Sequence, residues 1–133
     1  MTYGFDTGFF YQLISGTGGE RVEEAWTNLG REEADGVLSY VVCFELYRHG
    51  LRGVLPREQT EALVANLPSL CRVTPVSSLA RCERTARLAH GNGLSMADAF
   101  ILEAALSCNA NRVYTTDADM ENYEGDDIGI VLL

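Results

Sequence analysis

The chain has 133 residues, enough for one domain that buries roughly two thirds of the surface its unfolded form exposes and too few for a second. Its net charge is -9, and its ten basic side chains are all Arg; this balance argues against broad electrostatic adhesion to nucleic acid, although Arg in a local groove remains a good fork for phosphate oxygens. No apolar run approaches the roughly 18 residues that cross a bilayer, and Asp6 falls inside what would have to be a signal peptide's apolar region, so a cytoplasmic protein is expected.

In chain order, "TYGF" is a weak strand that reaches Asp6 and passes straight into a helix, "TGFFYQLIS". "GGERVEEAWTNLGREE" is a second, amphipathic helix. The short apolar "DGVLS" is a strand, and "YVVCFELYRHG" is helical by the spacing of Val41, Val42 and Leu46. "PREQTEALVANL" opens with Pro56, suited to a first helical turn, and "CRVTPV" is strand-like. "SSLARCERTARLAHGNG" ends in His and Gly, as helix ends prefer, and "GLSMADAFILEAAL" is the last long helix. "RVYTTD" and, past an acidic loop, "IGIVLL" complete five strands. Short strands joined by helical crossovers predict an α/β fold: a three-layer α/β/α sandwich around a mostly parallel sheet, spanning residues 1–133 as one domain. Cys43, Cys71, Cys82 and Cys108 share no CxxC spacing and sit among apolar residues, so buried reduced thiols are expected in place of disulfides or zinc ligands.

In such sheets the ligand crevice lies beyond the carboxyl ends of the strands. Asp6 ends the first strand, Ser39 the second, and Thr115, Thr116 and Asp117 the fourth, with Asp119 two residues on. Glu45 lies about two turns into the helix after Ser39, and Asp98 sits in the first turn of the helix that feeds "RVYTTD". Carboxylates from distant segments therefore converge on one rim, with no Lys in the chain to neutralise them. Like charges at close range raise one another's pKa and destabilise the fold unless a cation intervenes. Such donors select a hard cation, Mg2+ or Mn2+, with Asp6, Asp98, Asp117 and Asp119 as candidate ligands; a cluster of this kind can activate water for phosphodiester cleavage.

The order Asp6-Thr7, Ser39 with Glu45, Asp98 in an Ala-rich helix, then Thr115-Thr116-Asp117-Ala118-Asp119 resembles a PIN domain, the nuclease fold of VapC-type toxins. The resemblance covers essentially the whole chain. It implies cleavage of single-stranded RNA by metal-activated water, a homodimer, and a small antitoxin that blocks the site. Position by position it makes Asp6, Glu45, Asp98 and Asp117 the catalytic acidic quartet, Asp119 an accessory acid, Thr115 a hydroxyl that orients the cluster, and Thr7 the hydroxyl residue after the first Asp. Gly4, Gly8 and Met120 depart from the family's usual pattern.

Alternatives stand beside this reading. Asp98 is also placed to be the third-position acid of a capping box begun by Ser95, and Glu45 to pair with Arg48 or His49 one turn on. Arg48 and Arg52 are candidates to grip phosphate, or ordinary surface arginines. Glu20, Glu23, Glu24, Glu32 and Glu33 read as a solvated helix face, as do the loop acids Glu121, Glu124, Asp126 and Asp127; His49 and His90 read as helix-end residues. A receiver domain, a haloacid-dehalogenase-like phosphatase and a GxxxxGK phosphate loop all require a Lys that this chain lacks. A different class stays open: the same fold used only to hold metal, RNA or a protein partner, without turnover.

Overall fold

A computed structural model describes all residues from Met1 to Leu133. The elements are β1 (Thr2–Phe5), α1 (Thr7–Ser15), α2 (Glu20–Gly30), β2 (Asp35–Ser39), α3 (Tyr40–Leu51), α4 (Arg57–Leu70), β3 (Cys71–Thr74), α5 (Leu79–Asn92), α6 (Met96–Ser107), β4 (Arg112–Thr115), a 3-10 turn (Ala118–Asn122) and β5 (Gly129–Leu132). The five strands form one sheet in the order β3-β2-β1-β4-β5, and every pairing is parallel. This is the expected α/β/α sandwich, with the sheet parallel throughout.

Alternation along β1 sorts the layers. Phe5 packs at a tilt against the α1 rings Phe9 and Phe10, with centroids 4.4 and 5.7 Å away, whereas Gly4 faces the opposite way, toward α6. A Cβ at Gly4 would lie 2.9 Å from the Ala105 Cβ, so the glycine that weakens β1 as a strand is what lets α6 lie close against the sheet. The apolar residues of both faces form one continuous cluster, in which Phe5, Phe9, Phe10, Leu102 and Val113 are fully buried.

Glu103 lies in this interior with 0% of its surface exposed, held bidentately by Arg81 at 2.8 and 2.9 Å. The same guanidinium reaches Thr74 and Ser107, so one arginine of α5 ties together β3 and α6.

Several expected boundaries move. The second helix stops at Gly30, because Glu32 turns the chain with a positive φ of 58°. Pro56 caps α4 from outside its first turn, and α4 runs through Pro68 to Leu70. β3 ends at Thr74, before Pro75, which has no N–H to give a ladder. Of the four thiols, only Cys43 and Cys71 are buried: Cys82 is exposed and Cys108 half-buried, all four remaining free. Cys82 corrects the expectation because α5 is a peripheral helix whose apolar neighbours also face outward, Leu79 being 88% exposed. No helix is long and apolar enough to cross a membrane.

Candidate active site

The strand order places the topological switch between β1 and β4, since β1 continues to β2 on one side while β4 returns on the other. At that point the chain starts three helices. Asp6 caps α1, its Oδ1 accepting from the Phe9 N–H at 2.8 Å; Ser39 caps α3 by accepting from Val41; Ser95 caps α6 by accepting from Asp98. Helix amino ends carry partial positive charge, which favours carboxylates gathered there.

Asp6 is held hardest. Its Oδ2 accepts from the Thr115 hydroxyl at 2.6 Å and from the Thr116 N–H at 3.0 Å. Thr115, fully buried, also accepts from the Asp117 N–H at 3.0 Å, so one hydroxyl sets the spacing of two of the acids. Burial nevertheless outweighs these bonds and raises the Asp6 pKa, with the Asp117 charge adding to it.

Asp98 is 7% exposed, and its Oδ2 is buried with no hydrogen-bond partner. Ser95 caps the Asp98 N–H as the capping-box reading expects, yet the carboxylate is turned into the cleft. Burial, then the neighbouring Asp117 carboxyl, then the charge of Asp6 push its pKa up to about 7. Glu45 does not pair with Arg48 or His49; its Oε1 accepts from the Thr7 hydroxyl at 2.5 Å, which joins α3 to α1.

Asp6, Glu45, Asp98 and Asp117 thus wall one cleft of about 160 Å3, together with Thr7, Gly8, Ile101 and Thr116, and no basic residue lines it. An unpartnered buried carboxylate oxygen in a cleft lined by four acids and no basic residue is a donor set that suits Mg2+ or Mn2+. The acids are gathered without forming a ready three-ligand cage, since Asp6 is already engaged by three donors.

Other expected residues fall elsewhere. Asp119 is exposed and outside the cleft lining; its N–H donates to Asp117 Oδ1 at 2.9 Å, so it helps to fix Asp117 through the backbone. Ser39 is a buried helix cap. Arg48 and Arg52 are exposed and line neither this cleft nor the groove beside it.

Two features went beyond the sequence reading. Thr116, named there as a strand-end residue without a role, contributes both a donor to Asp6 and a wall of the cleft. A second groove, of about 380 Å3, is lined by Tyr11, Gln12, Thr17 and His49 and shares Thr7, Gly8, Glu45 and Thr116 with the acidic cleft. Helical spacing was a usable signal, since Tyr11 and His49 lie one turn beyond Thr7 and Glu45.

No curated protein matches the sequence. Solved structures share the fold. A chain in the crystal structure of VapBC2 from Rickettsia felis bound to a promoter DNA fragment superposes with a TM-score of 0.74 at 14% identity, covering 100% of this chain and 99% of that one. A chain of a toxin-antitoxin complex from Klebsiella pneumoniae gives 0.66 at 19% identity, covering 98% and 96%. One in VapBC-1 from nontypeable Haemophilus influenzae gives 0.67 at 17% identity, covering 99% and 98%. The PIN domain family model matches residues 3–126, a span that runs from β1 past the 3-10 turn and contains every acid of the cleft. The chain belongs to the PIN domain family.

Proposed function

We propose that the chain, working over residues 1–133 as one domain, is a Mg2+- or Mn2+-dependent endoribonuclease that cuts single-stranded RNA. The observation that carries this reading is the buried, unpartnered Oδ2 of Asp98 in a cleft otherwise walled by Asp6, Glu45 and Asp117. Asp6, Asp98 and Asp117 would hold a divalent ion there, which when bound would supply a Lewis acid to activate water and stabilise charge on phosphate oxygens. Asp98, whose raised pKa keeps its carboxyl partly protonated near neutrality, would lose its proton on binding the ion, and Thr115 keeps Asp6 at a set distance from Asp117. Glu45, with Oε1 taken by Thr7, has Oε2 left to accept a proton at the cleft wall.

Three of the structures with this fold are described as toxin-antitoxin or VapBC complexes, which supports a toxin restrained by a small antitoxin. On α3, Tyr40, Phe44, Tyr47 and Leu51 share one side of the helix and are 43 to 66% exposed; this apolar stripe supports a partner chain, and we assign it to a homodimer. An RNA substrate and a small antitoxin go with a cytoplasmic activity.

A second reading, in which the fold binds metal, RNA or a partner without turnover, is favoured by the lack of a ready three-acid cage and by the charge of -9. Labelled single-stranded RNA incubated with the parent and with Asp98→Asn, in Mn2+ and in EDTA, separates the two. Cleavage only by the parent in Mn2+ is expected. Retention of RNA without cleavage by the parent would establish the binding module instead.

A further inference from the structure

Two rungs connect α1 to α3 above the acidic cleft. The first is the hydrogen bond from Thr7 to Glu45 at 2.5 Å. The second lies one turn further along both helices, where the Tyr11 and His49 rings meet edge-on, with centroids 5.9 Å apart and planes at 70°. α1 meets the cleft at its first residues and α3 at Glu45, and beyond those points the gap between them continues as the groove of about 380 Å3. Its size lies within the range of about 300 to 1,000 Å3 typical of ligand pockets.

We propose that this groove is the subsite for the nucleotide adjoining the scissile phosphate, an inference that rests on the ribonuclease reading. Four residues line both spaces, so a chain whose phosphate lies in the acidic cleft has its next nucleotide between the helices. Tyr11, 36% exposed, offers a ring face to a base, an interaction open to any base because each has a π face. His49 is the basic side chain among the groove's lining residues, and it is placed to donate to the neighbouring phosphate. Gln12 presents both an amide donor and a carbonyl acceptor, a pair suited to a base edge. The arrangement answers a problem of charge: with four acids and no basic residue lining the cleft, the substrate's grip must come from beside it. Arg48 and Arg52 line neither space.

The test uses the full chain and single-stranded ribotrinucleotides of each of the four bases. NMR signals of the His49 imidazole and the Tyr11 ring are followed during titration in EDTA, where no cleavage occurs. Steady-state cleavage is measured in Mn2+ for the parent, His49→Gln, Tyr11→Leu and the double variant Arg48→Gln/Arg52→Gln. Both side-chain signals are expected to move. His49→Gln and Tyr11→Leu should each raise KM about tenfold with kcat little changed, Tyr11→Leu should flatten differences among bases, and the double Arg variant should match the parent. Melting curves taken on all variants separate misfolding from lost binding; if either variant unfolds, the parent titration and the other variant decide. Still signals in the parent titration, or cleavage with KM unchanged in folded His49→Gln and Tyr11→Leu, would overturn the subsite and leave the ribonuclease reading intact. Signals that move with the parent, are lost in the variants, and are accompanied by no cleavage would sink the ribonuclease reading and leave the groove as an RNA-binding site.

Discussion

The Thr115 hydroxyl donates to Asp6 Oδ2 at 2.6 Å across 109 residues of sequence, and in doing so it locks the end of β1 to the end of β4 at the cleft. Thr115 has no exposed surface, so no water can replace it. Replacing it with Val keeps the shape and removes the donor. Loss of a buried bond to a carboxylate should cost about 1.5 to 3 kcal/mol in chemical denaturation, and RNA cleavage should fall with it. A Thr115→Ser variant, which restores the hydroxyl, should recover most of the activity.

Asp98 has a pKa raised to about 7 by burial and by Asp117 and Asp6, which gives a prediction of definite sign. A carboxyl whose folded pKa exceeds its unfolded one binds more protons when folded, so metal-free stability is highest at acid pH and declines as pH rises from about 4 through 7. Asp98→Asn removes that decline. At pH 8 in EDTA the variant should be more stable than the parent by at least about 1 kcal/mol, the equivalent of one pKa unit. A simple helix cap predicts the opposite, a loss of roughly 0.3 to 1 kcal/mol. Thermal melts of both proteins at pH 5 and pH 8 decide between them, and millimolar Mn2+ should raise the parent's melting temperature while leaving Asp98→Asn little changed.

Gly8 stands where the first turn of α1 crosses the end of β4, and a Cβ there would come within 2.7 Å of the Thr116 Cβ and closer still to its hydroxyl. Gly8→Ala must displace Thr116, whose N–H holds Asp6. The cost should be about 1 to 3 kcal/mol with a marked loss of cleavage. Pairing it with Thr116→Gly removes the obstructing atoms and should return much of the stability. A Gly8→Ala protein that melts and cuts like the parent would show that the contact is easily relieved.

Arg81 and Glu103 form a pair with one carboxylate wholly buried, whereas Arg57 and Glu61 form one on the surface. Arg81→Leu leaves the Glu103 charge without its partner and should cost about 3 to 5 kcal/mol, while Arg57→Leu should cost about 0.3 to 0.5. Urea unfolding of both variants is the measurement. Comparable losses would mean that Arg84, 3.9 Å from Glu103, takes over the role.

Local chemistry made most of this protein legible in advance. Apolar runs, caps and helical spacing marked every strand and long helix, because these signals act over a few residues. The same logic placed Asp6, Asp98 and Asp117 at one rim, since in a parallel sheet all strands end on the same side. What tertiary packing decided is how each polar group is spent. Asp119 and Ser39 lie near the rim in sequence, yet the backbone turns one outward and makes the other a cap. Glu45 stands within reach of Arg48 and His49 along its own helix, but Thr7 of α1 takes its carboxylate. Glu103 drew no notice in the sequence, and its burial depends on α5 bringing Arg81 over it. Gly4 and Gly8 read as departures from the family's pattern, and each proves to be the space that another segment needs. A sequence pattern reports which side of an element is apolar or charged; the partner that meets that side is chosen by crossing helices and distant strands, at separations that no local pattern encodes.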